Sequence, residues 1–233
     1  MDIKYKRVLL KMSGEVLGSE AAPVDSAKVA EAAKHIKQLY EAGVQVGVVV
    51  GGGNIMRGRS AANIERNRAD SIGMLATAIN SLALEQALID LNIPVRVLSA
   101  VEIELFMDTY SARLANKSLD DGEVVIFACG MGTPFFSTDT ASAMRAAQIH
   151  ADALLLAKNI DGVYSADPKV DKNAVKYDTL TYTDVVQRGL RATDLTAITL
   201  CGETKMPVIV FSMQEDSAFL RAVCGENVGT VIS

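Results

Sequence analysis

"VQVGVVVGGGNIMRG", residues 44–58, joins a short run that is apolar on both faces to three consecutive glycines and an arginine. A run this short and this rich in valine reads as a strand buried on both sides, the usual condition of a parallel sheet. Gly51, Gly52 and Gly53 follow it directly, and the missing side chains let backbone N–H groups approach the oxygens of an anion. Arg57 adds a fork of donors suited to phosphate. A tight strand-to-helix turn is the plainer reading of the same glycines. A dinucleotide-binding fingerprint fits poorly, because Met56 stands where a third glycine would fall and the next strand ends at Ser99 instead of an acid.

Runs of the same kind recur along the chain: "RVLLKMS" (7–13), "IPVRVLS" (93–99), "EVVIFAC" (123–129), "ALLLAK" (153–158) and "PVIVF" (207–211). Helical patterns lie between them. From Ser26, the residues Val29, Ala33, Ile36 and Tyr40 recur at three- and four-residue spacing, and Gly43 follows as a stop. A longer helix is predicted from about Asp70 to Leu91. Its Ile72, Leu75, Ile79, Leu82, Ala83 and Leu91 predict one strongly buried face, in part against another subunit. The alternation continues to "GTVIS" at the end of the chain and predicts an α/β fold, a mainly parallel sheet covered by helices on both sides.

With 233 residues, 49% hydrophobic and 22% charged, the chain suits one α/β domain, expected to span residues 1–233. A formal charge of -5 without any run of lysine or arginine argues against a general grip on nucleic acid or an anionic membrane. Any anionic ligand must be held by local groups. Cys129, Cys201 and Cys224 make neither a C-x-x-C pair nor an even framework, which suits a reducing cytoplasm. No stretch reaches 18 consecutive apolar residues, so neither export nor membrane spanning is expected. His35 reads as a surface residue of its helix and His150 as a helix-end residue, without metal-ligand spacing.

In open α/β sheets ligands bind beyond the carboxyl ends of the strands, which directs attention to the loops there. "KMSGE" places a lone cation, Lys11, at the end of the first strand, with no other basic residue before Lys28. No Gly-Lys pair occurs in the chain, so this is not a P-loop. "GMGTPFFSTDTASAM", residues 130–144, shapes a loop with glycine and proline, offers the hydroxyls of Ser137 and Thr138, and sets Asp139 where a helix should begin. Helix capping explains those polar residues equally well. Phe135 and Phe136 in this polar loop suit a flat ligand ring or the core. "KNIDGVYSADP", residues 158–168, holds two turn signals around Tyr164, which a purine pocket would also employ.

Taken together and in order, "KRVLLKMSGE", "VGVVVGGGNIMRG", "ADSIGMLATAIN", "PFFSTDT", "DGVYSADP" and "KMPVIVF" resemble the amino acid kinase superfamily and, within it, the bacterial uridylate kinases, over nearly the whole chain. The resemblance implies a three-layer αβα sandwich and transfer of the γ-phosphoryl group of Mg-ATP to UMP, giving UDP. It further implies a cytoplasmic homohexamer built from dimers, serving pyrimidine nucleotide synthesis. On this resemblance the catalytic residues are Lys11, Arg57 and Asp139, and ATP contacts fall on Lys11, Met12, Ser13, Gly14, Gly53, Arg57, Asn159, Tyr164 and Asp167. UMP contacts fall on Gly52, Asp70, Met131, Gly132, Thr133, Pro134, Phe135, Phe136, Ser137 and Thr138, while Mg²⁺ is held mainly through the nucleotide phosphates.

The chain departs from the family in two places. Met131-Gly132-Thr133-Pro134-Phe135-Phe136 stands where relatives commonly read T-G-N-P-F-F, which leaves the nucleobase contacts open. UTP inhibition and GTP activation belong to the same resemblance, but "SEAAPVD" after Gly18 lacks the G-x-G-I-D wording that accompanies activation. Two other readings stay open: a kinase of the superfamily acting on a carboxylate or carbamate, and a non-catalytic nucleotide- or oxyanion-binding protein.

Overall fold

The computed structural model describes residues 2–56, 63–190 and 193–233. In chain order, β1 (Arg7–Met12) leads through a 3-10 turn (Gly14–Leu17) to α1 (Ser26–Glu41), β2 (Gln45–Val50), α2 (Arg66–Asp90), β3 (Val95–Ser99) and β4 (Asp108–Thr109). Then come α3 (Ala112–Asp120), β5 (Val124–Ala128), α4 (Thr138–Gln148), β6 (Ala153–Lys158), β7 (Val163–Tyr164), β8 (Lys176–Tyr177) and β9 (Thr179–Leu180). The last elements are α5 (Tyr182–Gln187), α6 (Leu195–Thr204), β10 (Val208–Ser212), α7 (Ala218–Val223) and β11 (Gly229–Ile232). All six valine-, isoleucine- and leucine-rich runs are strands, and α1 ends just before Gly43, whose φ of +83° breaks the helix.

Among the described residues the main sheet has nine strands, in the order β4-β3-β5-β2-β1-β6-β10-β11-β9. Every neighbouring pair is parallel except β10 and β11. The strands β7 and β8 form a separate antiparallel hairpin. The chain builds one half of the sheet outward from β1 through β2 to β5 and β3, then returns on the other side with β6 and β10. The switch lies between β1 and β6, where an open α/β sheet leaves a crevice at its carboxyl edge.

Period-two alternation sends the side chains of β1 into two layers. Val8, Leu10 and Met12 pack with Ile36, Leu39, Leu84 and Phe219, the layer of α1, α2 and α7. Leu9 packs with Ala115, Ala143, Ala146 and Ile198, the layer of α3, α4 and α6. Lys11 shares the face of Leu9, and on β6 Lys158 shares the face of Leu154 and Leu156. Lys11 pairs with Leu156 across the two strands, so both lysines leave the sheet toward α4, two register positions apart.

Two sequence expectations are corrected. The inward face of α2 holds Ala69, Ala76, Thr77, Ala78, Asn80, Ser81, Leu84 and Leu88, while Leu75 and Ile79 are 54% and 51% exposed. The reason is close approach to the glycine loop: a Cβ on Gly52 would lie 2.8 Å from both Ala76 Cβ and the Gly73 carbonyl oxygen, so only small residues fit there. His35 is buried, stacked on Phe219 with ring centroids 4.3 Å apart, because α1 is covered by α7 on that side. By length and mean hydropathy (25 residues, 1.4) α2 would reach across a bilayer, yet its inward face packs in the core.

The loops after β1 and β2 also meet at van der Waals contact. A Cβ on Gly14 would collide with the Gly51 carbonyl and lie 2.5 Å from Asn54 Oδ1, which the Asn80 side chain holds in place. Gly14→Ala is therefore expected to destabilise the fold by about 1–3 kcal/mol through overpacking and to lower the thermal midpoint by several degrees, checked by calorimetry.

Candidate active site

Lys11 ends β1 among apolar neighbours, and one carboxylate meets it. Its Nζ lies 2.6 Å from Asp139 Oδ1, and Lys11 is only 9% exposed. Asp139 stands in the first turn of α4, where the Ser137 Oγ accepts hydrogen bonds from the N–H groups of Asp139 and Thr140, each at 3.1 Å. The capping reading of this segment and its site reading thus describe the same atoms: the cap sets the direction from which Asp139 faces β1.

A second helix start secures the arrangement. Thr193 Oγ1 donates to Asp139 Oδ2 at 2.7 Å, and the neighbouring Asp194 caps α6 by accepting from Ala197 N at 2.8 Å. The Asp194 carboxylate also accepts from Thr140 Oγ1 at 3.0 Å and from Ser137 Oγ. The two helix N-termini are stitched together through hydroxyl groups, and their positive dipole ends converge on the carboxyl edge of the sheet.

Burial acts to push the Asp139 carboxyl up, but the Lys11 and Lys158 charges and the hydrogen bonds from Lys11 and Thr193 outweigh it and hold the group at about 2. Burial pushes the Lys158 ammonium down, partly offset by Asp139 and Asp194 and reinforced by the like charge of Lys11. Asp139 is an anion throughout the neutral range. It is placed to orient cations and is a poor proton acceptor.

Two clefts open near this pair, the larger lined by Lys11 and the smaller by Ser137 and Thr138. The larger, of about 640 Å³, is lined by Lys11, Ser13, Lys158, Asn159, Tyr164 and Asp167 and closed by Arg188, Gly189 and Leu190. The Tyr164 hydroxyl donates to Asp161 Oδ1 at 2.8 Å and Lys176 pairs with the other oxygen at 3.0 Å, which ties the β7–β8 hairpin over the cleft. Three residues expected here do not line it. Met12 points into the opposite layer of the core, Gly14 is taken up by its contact with Gly51, and Gly53 lies beside Glu15.

The smaller cleft, of about 150 Å³, is lined by Gly52, Arg66, Asp70, Thr77, Gly130, Met131, Thr133, Phe136, Ser137 and Thr138. Asp70 Oδ2 accepts from Arg66 Nε at 2.6 Å and from the Phe135 N–H at 2.8 Å. Gly132, Pro134 and Phe135 do not line it. Gly132, at φ +74°, turns against the Ala100 carbonyl, and the Phe135 ring is 61% exposed, 5.3 Å from the Arg66 guanidinium. Arg57 lies outside the described residues. Among the described residues no group of three His, Cys, Asp or Glu side chains is placed to hold a metal ion.

Lys158, whose part the sequence leaves undecided, joins the site, and Thr193, Asp194 and Arg66 join it without having been singled out from the sequence. "TDL" at 193–195 ahead of an apolar run is a helix-start signal. Nothing local in it shows that the cap reaches α4.

The amino acid kinase family model matches residues 6–212 of this chain. A solved UMP kinase from Bacillus anthracis is 39% identical with a TM-score of 0.95, over 98% of this chain and 96% of that one. A UMP kinase from Ureaplasma parvum is 36% identical with a TM-score of 0.92, over 98% of each chain. A uridylate kinase from Archaeoglobus fulgidus is 34% identical with a TM-score of 0.75, over 97% of this chain and 99% of that one. With its mainly parallel sheet, the buried lysine–carboxylate pair at the edge of that sheet, and a family match over most of its length, this chain belongs to the amino acid kinase family.

Proposed function

We propose that the chain is a UMP kinase, transferring the γ-phosphoryl group of Mg-ATP to UMP to give UDP and ADP. One observation carries the reading: the large cleft is lined by Lys11, whose ammonium Asp139 holds, and the small one by Ser137 and Thr138, the two residues before Asp139, so a bulky donor and a smaller acceptor would approach each other near this pair. The solved UMP kinases that match along nearly the whole chain support UMP as the acceptor over a carboxylate or carbamate.

In this reading ATP occupies the larger cleft, with its base under Tyr164 and its phosphates directed at Lys11 and Lys158. UMP occupies the smaller cleft between Asp70 and the loop of residues 130–138. Transfer needs in-line approach of two anions and neutralisation of the charge on the oxygens of the moving group. The second pKa of a phosphate monoester is about 6, so the attacking oxygen of UMP is already ionised and no base is required. Asp139 accordingly acts as an organiser: it holds the Lys11 ammonium extended, while Ser137 and Thr193 hold Asp139. Magnesium brought in with the donor would supply further neutralisation of its phosphate oxygens. Backbone N–H groups of Gly52 and Gly53 supply donors nearby, the Gly51 N–H being taken by the Met12 carbonyl.

Residues 1–233 act as one domain in this reading, in the cytoplasm. The apolar outer side of α2, with Leu75, Ile79 and Ile89 exposed, supports subunit pairing and a homohexamer built from dimers. UTP as an inhibitor extends the same reading, whereas GTP activation has no support in the segment after Gly18.

ADP formation from Mg-ATP, with UMP, CMP, dUMP, AMP, aspartate and carbamate offered separately, tests the reading. Turnover with UMP is expected; turnover with another acceptor moves the substrate, and none with any leaves a binding protein. Lys11→Ala is expected to lower kcat by about 10²–10³, as for other lost transition-state donors, with the circular dichroism unchanged. Asp139 titrates below its ordinary value of 3.8, so its stabilisation is complete above that pH and is lost as pH falls through about 2. Asp139→Asn should therefore flatten the fall in urea midpoint between those pH values relative to the wild type.

A further inference from the structure

The loop that leaves β5 rests on an arginine that lines neither cleft. Arg145, in the last turn of α4, is 5% exposed. Its guanidinium lies 3.6 Å over the Tyr110 ring, donates from Nη1 to Gln148 Oε1 at 2.7 Å, and donates from Nη2 to the Gly130 carbonyl at 3.2 Å. Among the described residues no carboxylate pairs with it, and its Nε has no hydrogen-bond partner. A cation in the last turn favours a helix even when exposed, so the helix dipole does not account for its burial. An apolar chain would fill the same space without taking an uncompensated charge out of water.

What a guanidinium does here that an apolar chain cannot is aim a carbonyl. Helical side chains lean toward the helix N-terminus, so from the last turn of α4 Arg145 reaches back beneath the loop. There Cys129 at φ +60° and Gly130 at φ +57° turn the chain through two successive left-handed residues, a conformation that disfavours Cys129. In the planar trans peptide between Gly130 and Met131, the carbonyl and the N–H point in opposite directions. With the Gly130 oxygen drawn down to Arg145, the Met131 N–H faces the other way, toward the smaller cleft that both residues line. The reversed peptide would present an oxygen to that cleft, where an anionic nucleotide is expected.

We infer that Arg145 is a positioning residue for the acceptor: it locks the Gly130–Met131 peptide so that a donor and not an acceptor faces the smaller cleft. The inference rests on the UMP kinase reading, in which that cleft takes UMP. Its test is steady-state kinetics of the full-length protein and its Arg145→Met and Arg145→Lys variants, each substrate varied in turn, together with thermal unfolding. Arg145→Met should raise the KM for UMP by roughly tenfold, the scale of one charge-assisted hydrogen bond, with the KM for Mg-ATP within about twofold of wild type. Its thermal midpoint should be equal to or above that of the wild type, since no buried partner charge is orphaned. Arg145→Lys keeps the charge but cannot span both Gln148 and Gly130, and should raise the UMP KM selectively by less.

An unchanged UMP KM overturns the inference, as does an equal rise in both KM values with a lowered midpoint, the mark of a merely structural role. If the methionine variant does not fold, the lysine variant decides, and no selective rise there overturns the inference. Wild-type protein that fails to turn over UMP overturns the functional reading and this inference with it; wild-type turnover with unaltered variants overturns this inference alone.

Discussion

The contact between Lys11 and Asp139 is the constraint around which the rest of the site is arranged. A lysine at the end of a central strand would ordinarily extend its stem over apolar surface and put its ammonium in water. Here the carboxylate of α4 holds it at the carboxyl edge, beside the larger cleft. Two charges so withdrawn from solvent persist only with further hydrogen bonds, and removing one partner of such a pair typically costs about 3–5 kcal/mol. Thr193 supplies a bond directly, while Ser137, Thr140 and Asp194 supply it indirectly by joining the starts of α4 and α6. Lys158 brings a second cation to the same face of the sheet. A chain with net charge -5 thus concentrates basic groups where an anion would arrive and needs no basic surface elsewhere.

The second organising feature is steric. Gly14 packs on Gly51, and Gly52 packs on Ala76 and Gly73, so the loops after β1 and β2 and the start of α2 approach more closely than side chains allow. That closeness narrows the smaller cleft and turns the large apolar side chains of α2 outward. The glycines that read as an anion cradle are equally packing glycines. These roles are compatible, because a backbone with no side chain is available on both of its faces.

The acceptor loop combines both features. Left-handed residues at Cys129, Gly130, Gly132 and Phe135 are held from three sides, by Thr77 on the Cys129 N–H, by Asp70 on the Phe135 N–H and by Arg145 on the Gly130 carbonyl. Each anchor comes from a different helix or helix turn. The shape of the cleft is consequently a property of the packed core and not of the loop residues that line it.

Much of this was legible from the chain alone. Apolar runs bounded by turn residues located the six main strands, and the glycine and Asp-Gly signals located the loops at their carboxyl ends, because strand burial and backbone freedom are local demands that residue type records directly. The two-residue strands carried too little pattern to be found. Periodicity showed that α2 is amphipathic but misassigned its inner face, since proximity to Gly52 rewards alanine over leucine and no local rule contains that neighbour. His35 was misplaced for the same reason, its cover being α7, far along the chain. Lys11 and Asp139 were each visible as unusual residues at element ends. Asp194 and Arg145 were not, because their work is done across 54 residues to Thr140 and across 15 to Gly130. Element type and loop chemistry were written in the sequence; which helix start meets which strand end was decided by the strand order, a long-range packing outcome that fixes distances no local pattern encodes.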